Sequence, residues 1–474
     1  MLVGRLEEIK ALNAAMSSDK GEMIAVIGRR RVGKTFLITE MLGDQIVFQQ
    51  TGIRHASPER QLRTFSNKLS LLAGREMPKI KDWLDAFFQL RMVLEPLLGR
   101  DEKLVLFFDE LSWLATPGSE FLDYLAHFWN DWAARQKIVV VLCGSVSSWI
   151  INKVINDKGG LHNRVTRYLH LKPFTLLETE AFLTARHVNF TRYQIFQLYM
   201  ALGGIPLYLE DIEVGRSVAE AIDKLCFSDT GLLREEFARL YPALFDDAHH
   251  HIEVIRTLAE HPRGLSRAEI IALSNTPNGG TATRVLEELE QSDFIMSFLP
   301  FGKRKKGKLY RLIDEYSLFY LRFIEMNRLS GAGTWMKMSQ QPAYKIWGGY
   351  AFESICMKHV PSIKKALNIS GVYTNTYSYA HKRTEDFPGV QVDMLLERAD
   401  GVINLFEIKF HRKELALTET SALQLLRRKE LFERYSKTKD QVILTLMVSG
   451  GFKANKHSLG LVGQVLEANA LFLE

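Results

Sequence analysis

Cysteine is scarce: three occur in 474 residues. Cys143, Cys226 and Cys356 lie far apart, with no ligand-like spacing, which argues against a disulfide framework or a zinc site and for reduced core thiols. Long apolar runs are missing as well. None approaches the ~18–20 residues needed to span a bilayer. Residues 1–10, Met-Leu-Val-Gly-Arg-Leu-Glu-Glu-Ile-Lys, place acids where a secretory signal needs an apolar core. The expectation is a cytoplasmic chain with no membrane partner. Neither sign of charge dominates: a formal net charge of +6 is compatible with nucleic acid but too small to argue for it alone. With 46% hydrophobic and 24% charged residues there is ample material for a core. The length suits roughly three domains at about 150 residues each.

What the chain does have is the stretch Met23 to Thr35. Met23–Ile27 is a short apolar run with β-branched residues and reads as a buried strand. Gly28 to Thr35 fits G-x-x-x-x-G-K-[ST], and Phe36 to Met41 continues as a helix, the context that a phosphate-binding loop requires. Gly28 and Gly33 let the backbone turn its N–H groups inward around phosphates. Lys34 brings a point charge for the β- and γ-phosphates, Thr35 a hydroxyl for Mg²⁺, and the helix N-terminus its partial positive charge. The nucleotide-contacting set is Gly28, Arg29, Arg30, Arg31, Val32, Gly33, Lys34, Thr35 and Phe36, with ATP and Mg²⁺ as cofactors.

Further on, Leu104–Phe108 is a buried strand ending in Asp109 and Glu110. Beside a phosphate loop, Asp109 is expected to hold Mg²⁺ through water and Glu110 to orient or deprotonate the attacking water. Strands near Ile46–Gln50, Ile138–Cys143 and Tyr168–Leu171 complete the pattern. Strand ends of an open parallel sheet face the ligand crevice, so Ser145 either contacts the γ-phosphate or its water, or ends a plain strand-to-helix turn. Arg164 and Arg167 flank the fifth strand. Arg164 either senses the γ-phosphate, in its own subunit or in a neighbouring copy of a homo-oligomer, or is solvated. Residues 173–245 read as helices, with a capping box at Thr191–Gln194. The turn Gly203-Gly204-Ile205-Pro206-Leu207-Tyr208 either sets Pro206 and Tyr208 against the adenine or only joins two helices.

Val3-Gly4-Arg5, Gly28–Thr35, Asp109-Glu110, Gly144-Ser145, Arg164 and Gly203–Pro206 together resemble the archaeal-type ATPase family, P-loop proteins of the AAA+/STAND group. The resemblance spans roughly residues 1–215 and implies an additional-strand P-loop sheet followed by a helical lid.

The middle of the chain reads as three helices and a hairpin. His249-His250-His251 is expected to be a solvated helix start, because adjacent residues do not share a helix face. Helices follow from Ile252, from a capping box at Ser266–Glu269, and over Thr281–Ser292. Phe294–Leu299 and Lys308–Ile313 flank a basic loop; residues 303–311 hold six basic side chains and no acid. This is a winged-helix pattern, in which Thr281, Thr283 and Arg284 enter the major groove of DNA and the wing's lysines meet phosphates. Glu287, Glu288 and Glu290 on the same helix oppose that contact, and the alternative is a winged helix that only packs on the ATPase.

Residues 316–345 read as a helical, aromatic-rich connection. Beyond it, a helix from Ile346 carries Glu353, and strands Gln391–Leu396 and Val402–Lys409 flank a turn at Asp400-Gly401. Glu407 and Lys409 share a strand face and the hairpin brings Asp393 beside them. Asp393, Glu407 and the Ile408 carbonyl then suit Mg²⁺, with Lys409 orienting water or offsetting developing charge. The arrangement resembles the PD-(D/E)XK nuclease superfamily over roughly residues 346–450. That resemblance implies Glu353 as the acid on the preceding helix and Gln424 as a polar site residue on the helix that follows.

The expected architecture is α/β: a P-loop ATPase core (1–172) with a parallel sheet, a helical lid (173–246), a winged helix (247–315), a helical linker (316–345) and an α/β restriction-endonuclease-like domain (346–474). The expected function is ATP binding and hydrolysis with DNA as partner and a Mg²⁺-dependent endonuclease. The alternative is an ATP-gated switch or scaffold whose nuclease-like domain does not cut.

Overall fold

The computed structural model describes residues 2–99, 102–116, 118–156, 158–245, 247–303, 307–381 and 388–473. The chain divides into two units, Met1–Pro173 with Gln291–Asp293, and Phe174–Glu290 with Phe294–Glu474. Among the described residues no helix is long and apolar enough to cross a membrane. All three cysteines are buried and free.

The first unit is built on β1 (Glu22–Ile27), β2 (Ile46–Thr51), β3 (Leu104–Asp109), β4 (Ile138–Cys143) and β5 (Arg167–His170). They lie in the order β2-β3-β4-β1-β5, every neighbouring pair parallel. Every residue of β1, β3 and β4 is buried. That is why Met23–Ile27, Leu104–Phe108 and Ile138–Cys143 are unbroken apolar runs and not alternating ones. With β3 and β4 standing between β1 and β2, the sheet has the additional-strand order. Helices Pro58–Ala73 and Trp83–Leu94 start at Ser57 and Asp82, whose side chains accept the Arg60 and Asp85 N–H groups. Their rings Phe65, Trp83 and Phe87 join Phe108, Phe121 and Phe128 in one core. Trp83 meets Phe121 edge-on at 4.7 Å between ring centres, a geometry that adds to simple burial.

The second unit opens with helices Leu176–Ala185, Arg192–Leu202 and Val218–Phe227, each started by a capping box at Thr175, Thr191 and Ser217. The aromatic stretch after residue 315 is helical, as expected, and packs into this body. Tyr316, Phe319, Tyr320 and Phe323 are buried, and the Tyr316 hydroxyl donates to the Leu233 carbonyl at 2.6 Å. Large rings facing several ways cannot stay in water, so the segment folds inward.

Helices His249–Glu260, Arg267–Ser274 and Gly280–Gln291 follow, with β6 (Leu265–Ser266), β7 (Ile295–Phe298) and β8 (Leu309–Leu312) in the antiparallel order β6-β8-β7. The first helix takes in the histidine run. His251 is buried there, stacked on Phe245 and hydrogen-bonded to Glu288 at 2.8 Å, and only its neighbours reach solvent. The C-terminal sheet runs β13-β12-β11-β10-β9, where β9 is Thr374–His381, β10 Val390–Arg398, β11 Val402–Lys409, β12 Gln441–Val448 and β13 Gln464–Glu467. β9, β10 and β11 are antiparallel neighbours, while β11, β12 and β13 are parallel. The parallel crossover is made by helix Glu419–Ser436.

Candidate functional site

The loop after β1 owes its shape to three residues with positive φ: Gly28 (143°), Arg31 (72°) and Gly33 (88°). A side chain at Gly28 would collide with the carbonyl oxygen of Leu171, so glycine is required there. Helix Lys34–Leu42 begins directly after Gly33. Lys34 is buried, and its Nζ donates to the carbonyls of Gly28 (2.6 Å) and Arg29 (3.0 Å), so the ammonium closes the loop from inside. Burial draws Lys34 below the usual lysine range, against the pull of Cys143, Glu110 and Asp109. Arg29 and Val32 are buried, Arg30 and Arg31 half-buried, and Thr35 and Phe36 exposed on the first helical turn.

A residue outside this loop holds it. Arg5 Nη2 donates to the Val32 carbonyl at 3.0 Å and Nη1 to the Lys172 carbonyl at 2.7 Å. The guanidinium spans the loop and the chain leaving β5. Val3-Gly4-Arg5 belongs to the resemblance, but nothing in its spacing announces this clamp.

The acids stand at the carboxyl end of β3. Thr35 Oγ1 donates to Asp109 Oδ2 at 2.8 Å, so the hydroxyl and carboxylate expected to hold Mg²⁺ are already adjacent. This donor set fits a nucleotide-bound magnesium ion, directly or through water. Glu110 sits in the left-handed region with φ 48°, its N–H bonded to Asp109 Oδ1 at 2.9 Å. Ser145 is buried at the end of β4 and its Oγ donates to Glu110 Oε2 at 2.9 Å. Ser145 therefore holds the second acid, a contact that neither sequence alternative named.

Two further candidates lie elsewhere. Arg164 is exposed in the turn ahead of β5. The next strand pairs Arg167 with Ile24, and Thr166 bonds the Met23 carbonyl, so this turn lies at the amino end of the sheet. Gly28 follows the other end of β1, about 15 Å away at ~3.3 Å per residue. Sensing of the γ-phosphate within its own subunit is thus corrected: the strand direction carries Arg164 away from the loop. Arg167 pairs with Glu22 at 3.7 Å. In the second unit Pro206 is the first residue of helix Pro206–Glu210. Tyr208 is fully buried there, bonded to Glu236 at 3.1 Å and packed on Tyr316, so it faces the helical core. Gly204 is needed because a side chain would strike the Phe174 backbone.

The C-terminal carboxylates lie on and beside β10 and β11. The β10–β11 ladder runs from Arg398 opposite Val402 to Met394 opposite Phe406, and β10 is irregular between Val392 and Leu395, where Asp393 lies. Asp393 Oδ2 accepts the Ile408 N–H at 3.3 Å. Glu407 is buried and ion-paired to Lys409 Nζ at 2.7 Å, and also to Arg428 of helix Glu419–Ser436. Gln424 on that helix is exposed; Arg428, one turn on, is the residue that reaches the site. Glu353, on helix Pro342–Lys358, lies 3.9 Å from Arg311 of β8. Burial first, then the Asp393 carboxylate, push Glu353 up to about 7, while Arg311, Lys409 and Arg263 pull it back. Among the described residues no three acids, histidines or cysteines gather closely enough to hold a metal by themselves. Asp393, Glu407 and the Ile408 carbonyl are the groups expected to hold Mg²⁺; of them, Asp393 takes the Ile408 N–H and Glu407 takes Lys409 and Arg428.

The described flanks of the basic hairpin are tied down. Arg304, Lys305 and Lys306 lie outside the described residues. Beside them, Phe301 packs on Tyr377, Tyr379 and Phe432 of the C-terminal domain, and its N–H donates to the Ser378 carbonyl at 3.1 Å. Lys308 pairs with Glu290 at 3.2 Å. On helix Gly280–Gln291, Thr283, Arg284 and Glu287 are exposed and Thr281 is half-buried; Glu288 is spent on His251.

Comparison with known proteins gives the following similarities. Residues 2–212 match the family model described as an ATPase domain predominantly from Archaea. The chain is similar to the uncharacterized protein MJECL04 of Methanocaldococcus jannaschii, 23% identical over 370 residues, covering 77% of this chain and 78% of that protein. Among solved structures it is similar to the Walker-type ATPase PABY2304 of Pyrococcus abyssi, with TM-score 0.47 and 18% identity over 68% of this chain and 96% of that one. It is also similar to the Aeropyrum pernix ORC2 protein, with TM-score 0.37 and 17% identity over 71% and 96%.

Proposed function

We propose, on the premise that residues 2–212 are an archaeal-type ATPase domain, that the chain binds and hydrolyses ATP with Mg²⁺ and couples this to a DNA-acting, Mg²⁺-dependent nuclease-like site. The observation that carries the ATPase half is the contact series Thr35–Asp109 and Ser145–Glu110 beside the Lys34 loop. Lys34 and the loop N–H groups bind the phosphates, Thr35 and Asp109 hold the cation, and Glu110 takes a proton from water. A cation held by Thr35 and Asp109 would supply charge compensation for the phosphates. Arg164, exposed and away from its own loop, is offered to the nucleotide of a neighbouring copy, so the active form is a homo-oligomer.

For the nuclease half, support comes from the order helix Pro342–Lys358, β9, β10, β11, helix Glu419–Ser436, β12, with Asp393, Glu407 and Lys409 at one place on the central strands. The three helices and small sheet before it are read as a winged helix. Asp393 and Glu407 would hold the cation, which polarises a phosphodiester, and Lys409 would orient water. A second reading, an ATP-gated switch whose nuclease-like domain binds without cutting, is favoured by one feature: Glu407 is occupied by Lys409 and Arg428, and Glu353 faces Arg311.

The test is plasmid cleavage with Mg²⁺ or Mn²⁺, with and without ATP, comparing wild type, Lys34→Ala and Lys409→Ala. Cuts that vanish in Lys409→Ala, and a nucleotide response that vanishes in Lys34→Ala, support the proposal. Intact plasmid under every metal and nucleotide, with ATP still hydrolysed, leaves the switch.

A further inference from the structure

The carboxylate site includes a residue from outside the C-terminal domain. Arg311 of β8 is buried, with one guanidinium nitrogen 3.9 Å from Glu353 Oε2. Its field reaches Asp393 as well as Glu353. The remaining contacts of this guanidinium are long or weak: 3.3 Å to the Tyr350 carbonyl and 3.3 Å to the Met357 sulfur. Committed arginines of the same unit look different. Arg256 grips Glu325 through two bonds of 2.6 and 2.8 Å, and Arg192 grips Glu180 through two of 2.9 Å. Arg311 thus neutralises two neighbouring acids without being locked to either.

We infer that Arg311 is a counter-ion lent by the small sheet to the carboxylate site, where it stands in for a divalent cation beside Glu353 and Asp393, and turns to a phosphodiester oxygen of nucleic acid once that cation is bound. The inference rests on the reading of Asp393 and Glu407 as cation-holding residues. The physical argument has two parts. Two acids that sense each other in a half-buried place repel, and a single guanidinium offsets that repulsion; a dication entering the same place must compete with it. Released from the acids, a planar guanidinium with several donors matches a phosphate better than a lone ammonium does. The hairpin carrying β8 is fixed for this role. Phe301, at its turn, is seated on Tyr377, Tyr379 and Phe432, and Pro300 bridges to Ser378.

The experiment titrates full-length protein calorimetrically with Mn²⁺ in an Asp109→Asn background, which silences the nucleotide-side cation site. Binding of a short fluorescein-labelled duplex DNA is then followed by anisotropy in Ca²⁺. Arg311→Met is expected to tighten Mn²⁺ binding about three- to tenfold, because a competing charge has gone, and to weaken DNA binding about tenfold through the lost phosphate contact. Arg311→Lys keeps the charge and loses the fork, so Mn²⁺ affinity stays near wild type while DNA binding falls. Arg256→Met, which breaks a committed pair elsewhere in the unit, should leave both unchanged. Mn²⁺ binding that is unchanged or weaker in folded Arg311→Met overturns the inference, as does DNA binding unaffected in Arg311→Lys should the methionine variant not fold. Asp393→Asn binding Mn²⁺ as well as its parent would instead remove the cation reading of the site itself.

Discussion

Ser145 Oγ donates to Glu110 Oε2 at 2.9 Å across the carboxyl ends of β3 and β4. Replacing Ser145 with alanine removes one hydrogen bond and leaves the phosphate loop alone. Ser145→Ala is expected to lower steady-state ATP hydrolysis about tenfold with nucleotide affinity unchanged, and Glu110→Gln to lower it about 100-fold or more. Parallel hydrolysis assays and titrations with a fluorescent ATP analogue check both. Equal losses of affinity and turnover would show that Ser145 only supports the fold.

Gly28 offers a sharper test of the loop. At φ 143° and against the Leu171 carbonyl, no side chain fits. Gly28→Ala is expected to abolish nucleotide binding and lower stability by roughly 2 kcal/mol or more. Gly43 has no atom within reach of an added Cβ, so Gly43→Ala should be nearly silent by the same titration and by denaturant unfolding.

His359 predicts an acid sensitivity. The Leu176 N–H donates to its Nε2 at 3.1 Å and its Nδ1 donates to the Ile355 carbonyl at 2.8 Å, so the ring is held neutral. Burial lowers it from 6.5 to about 4. The unfolded chain therefore binds a proton that the folded one refuses. This contribution is fully present above pH 6.5 and is lost as pH falls toward 4, a loss of roughly 3 kcal/mol. Urea unfolding between pH 4 and 7 should show that slope, and His359→Gln should flatten it.

Lys358 and Glu315 form a buried ion pair at 2.7 Å. Burial, opposed by Lys358, raises Glu315 above the usual carboxylate range. Lys358→Met leaves an uncompensated acid beside Gly203 and is expected to cost about 3–5 kcal/mol. Adding Glu315→Gln should recover part of it. Additive losses in the double variant, read from chemical denaturation, would show that the two side chains do not act as a pair.

The ATPase side was legible because each piece announces itself locally. The apolar run Met23–Ile27, the glycines at 28 and 33 and the acids after Phe108 all obey short-range rules, and β1, β3 and the loop stand where those rules put them. The hairpin at Asp400-Gly401 likewise sets the register of β10 and β11 from Arg398–Val402 to Met394–Phe406. Contacts made across long sequence separations were not legible. Arg5 reaches Val32 and Lys172, Ser145 reaches Glu110, Arg428 reaches Glu407 and Arg311 reaches Glu353; none of these distances is encoded in spacing. What the aromatic stretch from Tyr316 to Phe323 packs against is hidden for the same reason, since its partners Tyr208 and Leu233 lie some eighty or more positions earlier.

Phe301 also decides how this chain can be divided. A fragment cut at residue 346 would lose the ring that covers Tyr377, Tyr379 and Phe432, and would carry a greasy patch at the outer edge of its sheet. Its acids would be missing their borrowed arginine too. Inheritance by recombination would then favour exchanging the hairpin and the C-terminal sheet as one block, since either piece grafted alone leaves an aromatic unsheltered.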